Sequence, residues 1–276
     1  MKIIHMSDIH LTVPGELLGG LDPHARFAQA LVHATTNHPD AARIVVTGDL
    51  THWGEEQAYQ ALRNAVSDAP IPIRLLLGNH DHRDTFLLAF PDHPRDENGF
   101  VSYAEQLGTR TLIYCDTNEP MTHAGHLGAM RLAMIDAEIT AAAGSVLLFM
   151  HHNPAETGMP GVDEIGLSAQ DATALASMLR AHAPKVEHIF FGHTHQTLSG
   201  SFAGVPFSGI RSTLHQGLPN YSDDRMLHSG LFQPQYSVIQ FAPNQTMITH
   251  VPFAYDGPVR RSGTAWNDWV KPEDAR

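Results

Sequence analysis

Five short apolar runs along this chain are each followed at once by ionisable or amide side chains. The segments that follow them are residues 8–10, 48–49, 78–81, 151–152 and 192–195. Short apolar runs between stretches with helical spacing are typical of buried parallel strands. Metal-ligand residue types therefore recur at the C-terminal ends of strands, the edge where open α/β sheets bind ligands. The pattern predicts one site, built from five strand ends, that holds two metal ions.

The spacing between these runs predicts helices after Asp22-Pro23, over 55–66, 85–90 and 127–143, and after Ser168. After residue 196 the pattern changes to antiparallel hairpins, over 198–210 and 236–252. We expect these strands to form a second sheet that packs face to face on the first. The predicted organisation is one catalytic domain over 1–256, of which roughly 197–256 is the antiparallel second sheet and a cap-like region, and a C-terminal tail over 257–276.

Charge and composition narrow the classes of function. The chain has 17 Lys and Arg against 29 Asp and Glu, a net charge of −12, so we expect no nucleic acid polymer as partner. A metal site can still attract a small phosphate. The single cysteine, Cys115, permits no disulfide within the chain, and no stretch has the apolar length of a membrane span or a signal-peptide pattern. We therefore expect a cytoplasmic protein without a membrane partner, and the alternative of a homo-oligomer stays open.

The residue types in the five segments are those that bind first-row metal ions. Asp8 and His10 are two residues apart on an extended segment, which puts both side chains on one face. The carboxylate of Asp49 has two oxygens and can bridge two ions, and Asn79 offers an amide oxygen. Carboxylate and imidazole together suit Mn, Fe, Zn or Co better than Mg or Ca. The predicted ligands are Asp8, His10, Asp49, Asn79, His151, His193 and His195.

Each of these motifs is weak alone, since Gly-Asp is an ordinary turn pair, but ordinary turns do not explain five in order behind five strands. The set resembles the calcineurin-like metallophosphoesterase superfamily over residues 3–195. The early first motif and the paired histidines are similar to the bacterial branch of class III cyclic nucleotide phosphodiesterases and glycerophosphodiesterases. The chain departs from that branch at Asn153, where a proline is common. The resemblance implies an α/β fold, a four-layer αββα sandwich of two packed mixed sheets flanked by helices.

The resemblance also implies how the ligands are divided. One ion would be held by Asp8, His10, Asp49 and His195, and the other by Asp49, Asn79, His151 and His193, with Asp49 as the bridge. His80 would contact the substrate and protonate the leaving group, so His80, Asp49 and Asn79 are the predicted catalytic residues. His152 is either a support for the ligands or a structural residue.

The predicted function is hydrolysis of a small phosphodiester, of the cyclic nucleotide or glycerophosphodiester type. Two divalent ions, Mn or Fe with Zn or Co as alternatives, would activate a hydroxide that attacks phosphorus in line. The alternatives are a phosphomonoesterase or nucleotide pyrophosphatase on the same site, and a non-catalytic scaffold of the same fold. Thr117, Asn118 and His215 are further candidates for substrate contact, and His215 is equally consistent with a loop histidine in solvent.

Overall fold

The computed structural model describes residues 1–243 and 245–265. Its strands are β1 (Lys2–Met6), β2 (Arg43–Val46), β3 (Ile73–Leu75), β4 (Tyr103–Leu107), β5 (Arg110–Cys115), β6 (Ser145–Met150), β7 (Val186–Phe191), β8 (Leu198–Phe202), β9 (Val205–Gly209), β10 (Gln216–Leu218), β11 (His228–Gly230), β12 (Gln235–Ala242) and β13 (Gln245–Pro252). Its helices are α1 (Pro23–Asn37), α2 (Glu56–Ser67), α3 (Arg83–Ala89), α4 (Gly128–Ala141), α5 (Pro160–Glu164) and α6 (Ala169–Ala181).

The strands form two large mixed sheets and one small ribbon. The first sheet has the order β13-β12-β1-β2-β3, and the second has the order β4-β5-β6-β7-β9-β8. The ribbon pairs β10 with β11. Two mixed sheets flanked by helices confirm the predicted fold class.

Strand β5 of the second sheet is buried on both faces, because its successive side chains enter two different cores. In β5, Leu112 and Tyr114 join the core shared with the first sheet, whereas Ile113 and Cys115 join a second core that includes residues of α4 and α6. Successive side chains of a strand point to opposite faces, so a strand covered on both faces is apolar throughout. Burial of Cys115 agrees with an inert thiol.

The topology differs from the sequence prediction in one respect. The C-terminal hairpins do not form a separate sheet, because β8–β9 extends the sheet of β6 and β7, and β12–β13 extends the sheet of β1. The five strands that precede the metal-ligand motifs are therefore divided, three in the first sheet and two in the second. Local spacing predicts that a segment is a strand, but the partner of each strand is chosen by tertiary packing.

Two helix starts are those that the sequence predicts. The side chain of Asp22 accepts hydrogen bonds from the main-chain N–H groups of His24 and Ala25, and Pro23 begins α1. Ser168 caps α6 in the same way. Within the described part of the chain, no helix has both the length and the apolar character needed to cross a membrane. Of the predicted tail, residues 266–276 lie outside the described residues, as does Asn244 in the predicted turn before β13.

Candidate metal centre

Strand ends from both sheets meet at one place. At the end of β1, the main-chain N–H of Asp8 donates to the carbonyl oxygen of Gly48 at 3.0 Å. In the second sheet, the N–H of Gly192 donates to the carbonyl oxygen of His151 at 3.1 Å. The sheets are joined by the N–H of His193, which donates to Oδ1 of Asp8 at 3.0 Å. The predicted ligands therefore lie together although their strands belong to different sheets.

The backbone at these strand ends is strained. Positive φ angles, between 47° and 63°, occur at Asp8, His10, Asp49, His193 and His195. The extended segment predicted for Asp8 and His10 is therefore wrong, and the tertiary fold rather than strand alternation brings their side chains together. Residues other than glycine seldom adopt this left-handed region, although Asp and His do so more readily than most. Each such residue costs on the order of 1–3 kcal/mol and persists only where the surrounding fold holds it. The strain marks these positions as a site independently of their chemistry.

Two of the predicted glycines are required by close approach. A Cβ atom at Gly48, where φ is 101°, would lie 2.6 Å from Nδ1 of His151. A Cβ atom at Gly192 would lie 2.7 Å from Oδ2 of Asp8. No side chain fits at either position without displacing a predicted ligand.

The first group of donor atoms matches the first predicted ion site. Donor atoms of Asp8, His10, Asp49 and His195 all lie within 4.8 Å of one another. Nε2 of His195 is 3.3 Å from Oδ1 of Asp8 and 3.1 Å from Nε2 of His10. Nε2 of His10 is in turn 3.6 Å from Oδ2 of Asp49.

The second group uses the other oxygen of the same carboxylate. Nε2 of His151 is 3.4 Å from Oδ1 of Asp49 and 3.1 Å from Oδ1 of Asn79. Oδ1 of Asn79 is also 2.9 Å from Nδ1 of His193. Asp49 therefore presents Oδ2 to the first group and Oδ1 to the second, an arrangement in which one carboxylate can bridge two ions.

Hydrogen bonds to the main chain determine which ring nitrogen faces each group. Nδ1–H of His151 donates to the carbonyl of Thr47 at 2.7 Å, and Nδ1–H of His195 donates to the carbonyl of His215 at 2.9 Å. Because a carbonyl can only accept, a neutral ring at either position has a bare Nε2, and each Nε2 faces side-chain oxygens. The lone pair of each Nε2 and those of the facing oxygens repel each other unless a positive charge lies between them. Anchored imidazoles of this kind are typical of metal ligands, so the donor set fits two cations.

The pKa values of the site residues also indicate that positive charge stabilises the site. Burial opposes ionisation of Asp49, yet the charge of His151 holds the pKa of this carboxyl well below its usual range. Burial also disfavours the charged form of His151, but Asp49 outweighs it and raises the pKa of His151 to about 9. Burial and the neighbouring His151 lower the pKa of His193 to about 3. Anionic carboxylates and neutral imidazoles are the forms that bind metal ions, and a cation would replace the proton that His151 attracts.

Two histidines that the sequence analysis did not single out contact the ligands. Nδ1 of His52 lies 3.1 Å from Nδ1 of His10. Nδ2 of Asn79 donates to Nδ1 of His123 at 2.9 Å, which leaves Oδ1 of the amide for the donor group. His52 follows Asp49 by three residues, and this proximity was the available signal. Nothing in the sequence around His123 points to the site.

Asp81 anchors the two loops that carry Asp49 and Asn79. Its carboxylate accepts hydrogen bonds from the main-chain N–H groups of Leu50, Thr51 and Gly78 at 2.9–3.0 Å. The hydroxyl of Tyr59 donates to it at 2.9 Å. The Gly-Asn-His-Asp motif thus combines a donor for an ion at its second residue with a structural anchor at its fourth.

The remaining predicted site residues differ in where they lie. His80 and His215 line a cavity above the donor groups. Thr117 and Asn118 are buried behind the site and do not line that cavity. Nδ2 of Asn118 donates to the carbonyl of Gly78 at 2.6 Å. These two residues hold neighbouring loops in place, because Thr117 hydrogen-bonds to His152 and Asn118 to the loop that carries Asn79.

His152 also lies behind the donor groups. Its Nε2–H donates to the carbonyl of His123 at 3.1 Å, and its Nδ1 accepts from the hydroxyl of Thr117 at 2.7 Å. Its ring centroid is 4.5 Å from that of His193. Both ring nitrogens are occupied, so His152 supports the ring of His193 and has no nitrogen free for an ion.

The cavity above the donor groups has a volume of about 290 Å³ and two kinds of lining. One part consists of donor residues with His52, His80, His123 and His215. The other part, here called the apolar wall, comes from α5 and the β10–β11 ribbon and consists of Val162, Ile165, Leu218, Met226 and Leu227. Among the described lining residues there is no Lys, Arg or Glu, and Asp49 is the only Asp.

Known proteins resemble this chain over most of its length. The family profile described as calcineurin-like phosphoesterase matches residues 1–197. A probable cyclic nucleotide phosphodiesterase of Rhodopseudomonas palustris is 35% identical over 94% of this chain and 95% of its own length. A glycerophosphodiester phosphodiesterase of Enterobacter lignolyticus is 26% identical over 78% of this chain and 78% of its own.

A solved structure shares the fold. Purple acid phosphatase from yellow lupin seeds aligns with a TM-score of 0.66 at 12% identity, over 94% of this chain. The aligned part is 52% of the phosphatase chain, so this chain spans about half of it. At that identity the likeness concerns the fold alone.

Proposed function

This chain belongs to the calcineurin-like phosphoesterase family, and on that premise we propose that it is a metal-dependent hydrolase of small phosphodiesters. The observation that carries the proposal is the carboxylate of Asp49, which presents one oxygen to each of two donor groups. The family uses a binuclear metal centre. The names of the relatives, cyclic nucleotide and glycerophosphodiester phosphodiesterases, support the diester class.

We assign the ions to the two donor groups described above. The first is held by Asp8, His10, Asp49 and His195, and the second by Asp49, Asn79, His151 and His193. Carboxylate, amide and imidazole donors suit Mn or Fe, with Zn or Co as alternatives. When bound, two such ions supply the Lewis acidity that activates a water near neutral pH and neutralise charge on the phosphoryl oxygens.

His80 is the proposed proton donor to the leaving group. Its main-chain N–H donates to Oδ1 of Asp49 at 3.0 Å, so its position is tied to the bridging carboxylate. Its Nδ1–H donates to the carbonyl of His52 at 2.9 Å. A neutral His80 therefore has a bare Nε2, and donation from Nε2 requires the imidazolium form. General acid catalysis of this kind contributes roughly 10²–10⁴-fold in rate.

His52 is proposed to orient His10 and to contact the phosphoryl group. If His10 binds an ion through Nε2, its remaining proton is on Nδ1 and is donated to Nδ1 of His52. The proton of a neutral His52 is then on Nε2. His52 lines the cavity, and no other protein group described in the structure hydrogen-bonds to that nitrogen. This N–H is available to a phosphoryl oxygen.

The test is a hydrolysis assay on metal-stripped protein restored with Mn, Fe, Co or Zn. Bis(p-nitrophenyl) phosphate is compared with p-nitrophenyl phosphate under each metal. Metal-dependent cleavage that favours the diester is the expected result. A preference for the monoester would assign the chain to the phosphatases, and no cleavage with two ions bound would favour the scaffold.

A further inference from the structure

Three of the five residues of the apolar wall are exposed, although the wall borders the predicted metal centre. Leu218, Met226 and Leu227 are 38%, 60% and 58% exposed, and all three line the cavity with Val162 and Ile165. The hydrophobic core does not account for them, because they lie outside both buried clusters. Exposed apolar surface beside polar groups marks binding sites.

The wall is connected firmly to the donor groups. The N–H of Gly217 in β10 donates to the carbonyl of His195 at 2.9 Å, so the ribbon is bonded directly to a predicted ligand. A Cβ atom at Gly161 of α5 would lie 2.7 Å from the carbonyl of Arg225 and 3.4 Å from Cδ2 of Leu227. The helix and the loop of the ribbon are therefore in close contact and form one continuous surface.

The loop that carries Met226 and Leu227 is held by its own hydrogen bonds. Nδ2 of Asn220 donates to the carbonyl of Met226 at 2.9 Å and to Oδ1 of Asp224 at 2.8 Å. Oδ1 of Asn220 accepts from the N–H of Ser222 at 3.1 Å. The wall thus has a defined shape, since an internal network fixes the loop despite its exposure.

The lining suits a ligand with one charged end and one flat apolar part. No Lys or Arg among the described lining residues could neutralise a second phosphate, so a single phosphoryl group at the ions accounts for the charge. Glycerol would place its hydroxyl groups against leucine and methionine, where they lose water without gaining partners. The faces of a nucleobase are apolar, and its polar edge could reach His228 and Ser229, which also line the cavity.

From this we propose that the apolar wall is a subsite for the base of a nucleoside-bearing phosphodiester, so that the cavity selects cyclic nucleotides over glycerophosphodiesters. The proposal rests on the proposed function and specifies its substrate. The wall contacts the base and not the phosphorus, so it acts through substrate affinity. Removing a wall side chain should raise KM for a cyclic nucleotide and leave kcat nearly unchanged.

Two leucines of one segment give a matched test. Leu227 is 58% exposed and lines the cavity, whereas Leu231 is 63% exposed and does not. With manganese-restored protein, kcat and KM are measured for 3′,5′-cyclic AMP and for glycerophosphoethanolamine in wild type, Leu227→Ser and Leu231→Ser. Thermal unfolding followed by circular dichroism serves to check that both variants are folded.

We expect wild type to favour cyclic AMP in kcat/KM. Leu227→Ser should raise KM for cyclic AMP roughly five- to tenfold, from loss of part of a leucine contact, and leave glycerophosphoethanolamine and kcat unchanged. Leu231→Ser should match wild type on both. Equal or better hydrolysis of glycerophosphoethanolamine, or equal effects of the two variants, would overturn the subsite while the diesterase stands. Cleavage of p-nitrophenyl phosphate but of neither diester would overturn the proposed function itself.

Discussion

The predicted metal centre and the apolar wall meet at the same cavity but are built in opposite ways. The ligands follow strands of two large sheets, and five of them have left-handed backbone that only a rigid frame can hold. The wall comes from the five-residue helix α5 and a two-stranded ribbon with exposed side chains. The metal ligands need a fixed geometry, and they are carried by the two sheets. The apolar wall, which we propose to distinguish substrates, is carried by a short helix and a ribbon, elements that can vary more readily.

The strongest test of this contrast is removal of the bridging carboxylate. Asp49→Ala should lose both ions together, because each donor group contains one oxygen of Asp49. Diesterase activity should fall by at least roughly 10⁴-fold, since the activated water depends on the ions. Metal content per chain and the rate on bis(p-nitrophenyl) phosphate are the measurements. Asp40→Ala, at an exposed carboxylate, is the control, and one ion retained tightly in Asp49→Ala would refute the bridge.

A second test separates ion binding from proton donation. His80→Ala should keep two ions and lose roughly 10²–10³-fold in kcat, more on esters with poor leaving groups. His82, two residues away, is exposed and does not line the cavity, so His82→Ala should behave as wild type. If His80→Ala lost metal, His80 would be a ligand.

A third test concerns the residue that contacts His10 from outside the donor group. His52→Ala should weaken binding of one manganese ion about 10–100-fold, because an orienting partner of a ligand histidine is removed. Isothermal titration calorimetry of manganese resolves the two ions, and the ion bound by His151 and His193 serves as the internal control. Equal weakening of both ions would contradict a role through His10.

The smallest expected effect lies where the two sheets meet. The carboxylate of Glu105 in β4 contacts Arg43 at 3.0 Å and Arg74 at 2.8 Å, both in the other sheet. Burial opposes its ionisation, but these hydrogen bonds outweigh burial and lower the pKa of Glu105. Glu105→Gln should reduce the free energy of unfolding by about 1–2 kcal/mol at pH 7, after allowance for solvent screening.

The pH dependence of that loss has a definite sign. A lowered pKa in the folded state contributes stability above the unfolded value of about 4.3, and the contribution disappears as pH falls through the folded pKa. Urea unfolding at pH 7 and near pH 3.5 should therefore show a difference between Glu105→Gln and wild type that shrinks in acid. The exposed Glu97→Gln is the control, and a difference that grew in acid would exclude the ion pairs as its source.

The sequence by itself determined the strands before the five motifs, the two C-terminal hairpins, two helix starts and the ligand motifs, but not the β10–β11 ribbon. Apolar runs identify buried strands, and Asp22-Pro23 specifies a helix start through bonds to its next neighbours. Spacing also places Asp8 and His10 on one segment. These features depend on contacts within a few residues, which a linear pattern records.

Only the tertiary structure decided which strands pair and which loops meet. Apolar runs of similar length are interchangeable in a linear pattern, so the division of the motif strands between two sheets could not be predicted from them. The contact of His123 with Asn79, the burial of Thr117 and Asn118, and the apolar wall all depend on segments distant in sequence. Their positions follow from packing of both sheets at once, because long-range pairing energy is absent from any local spacing.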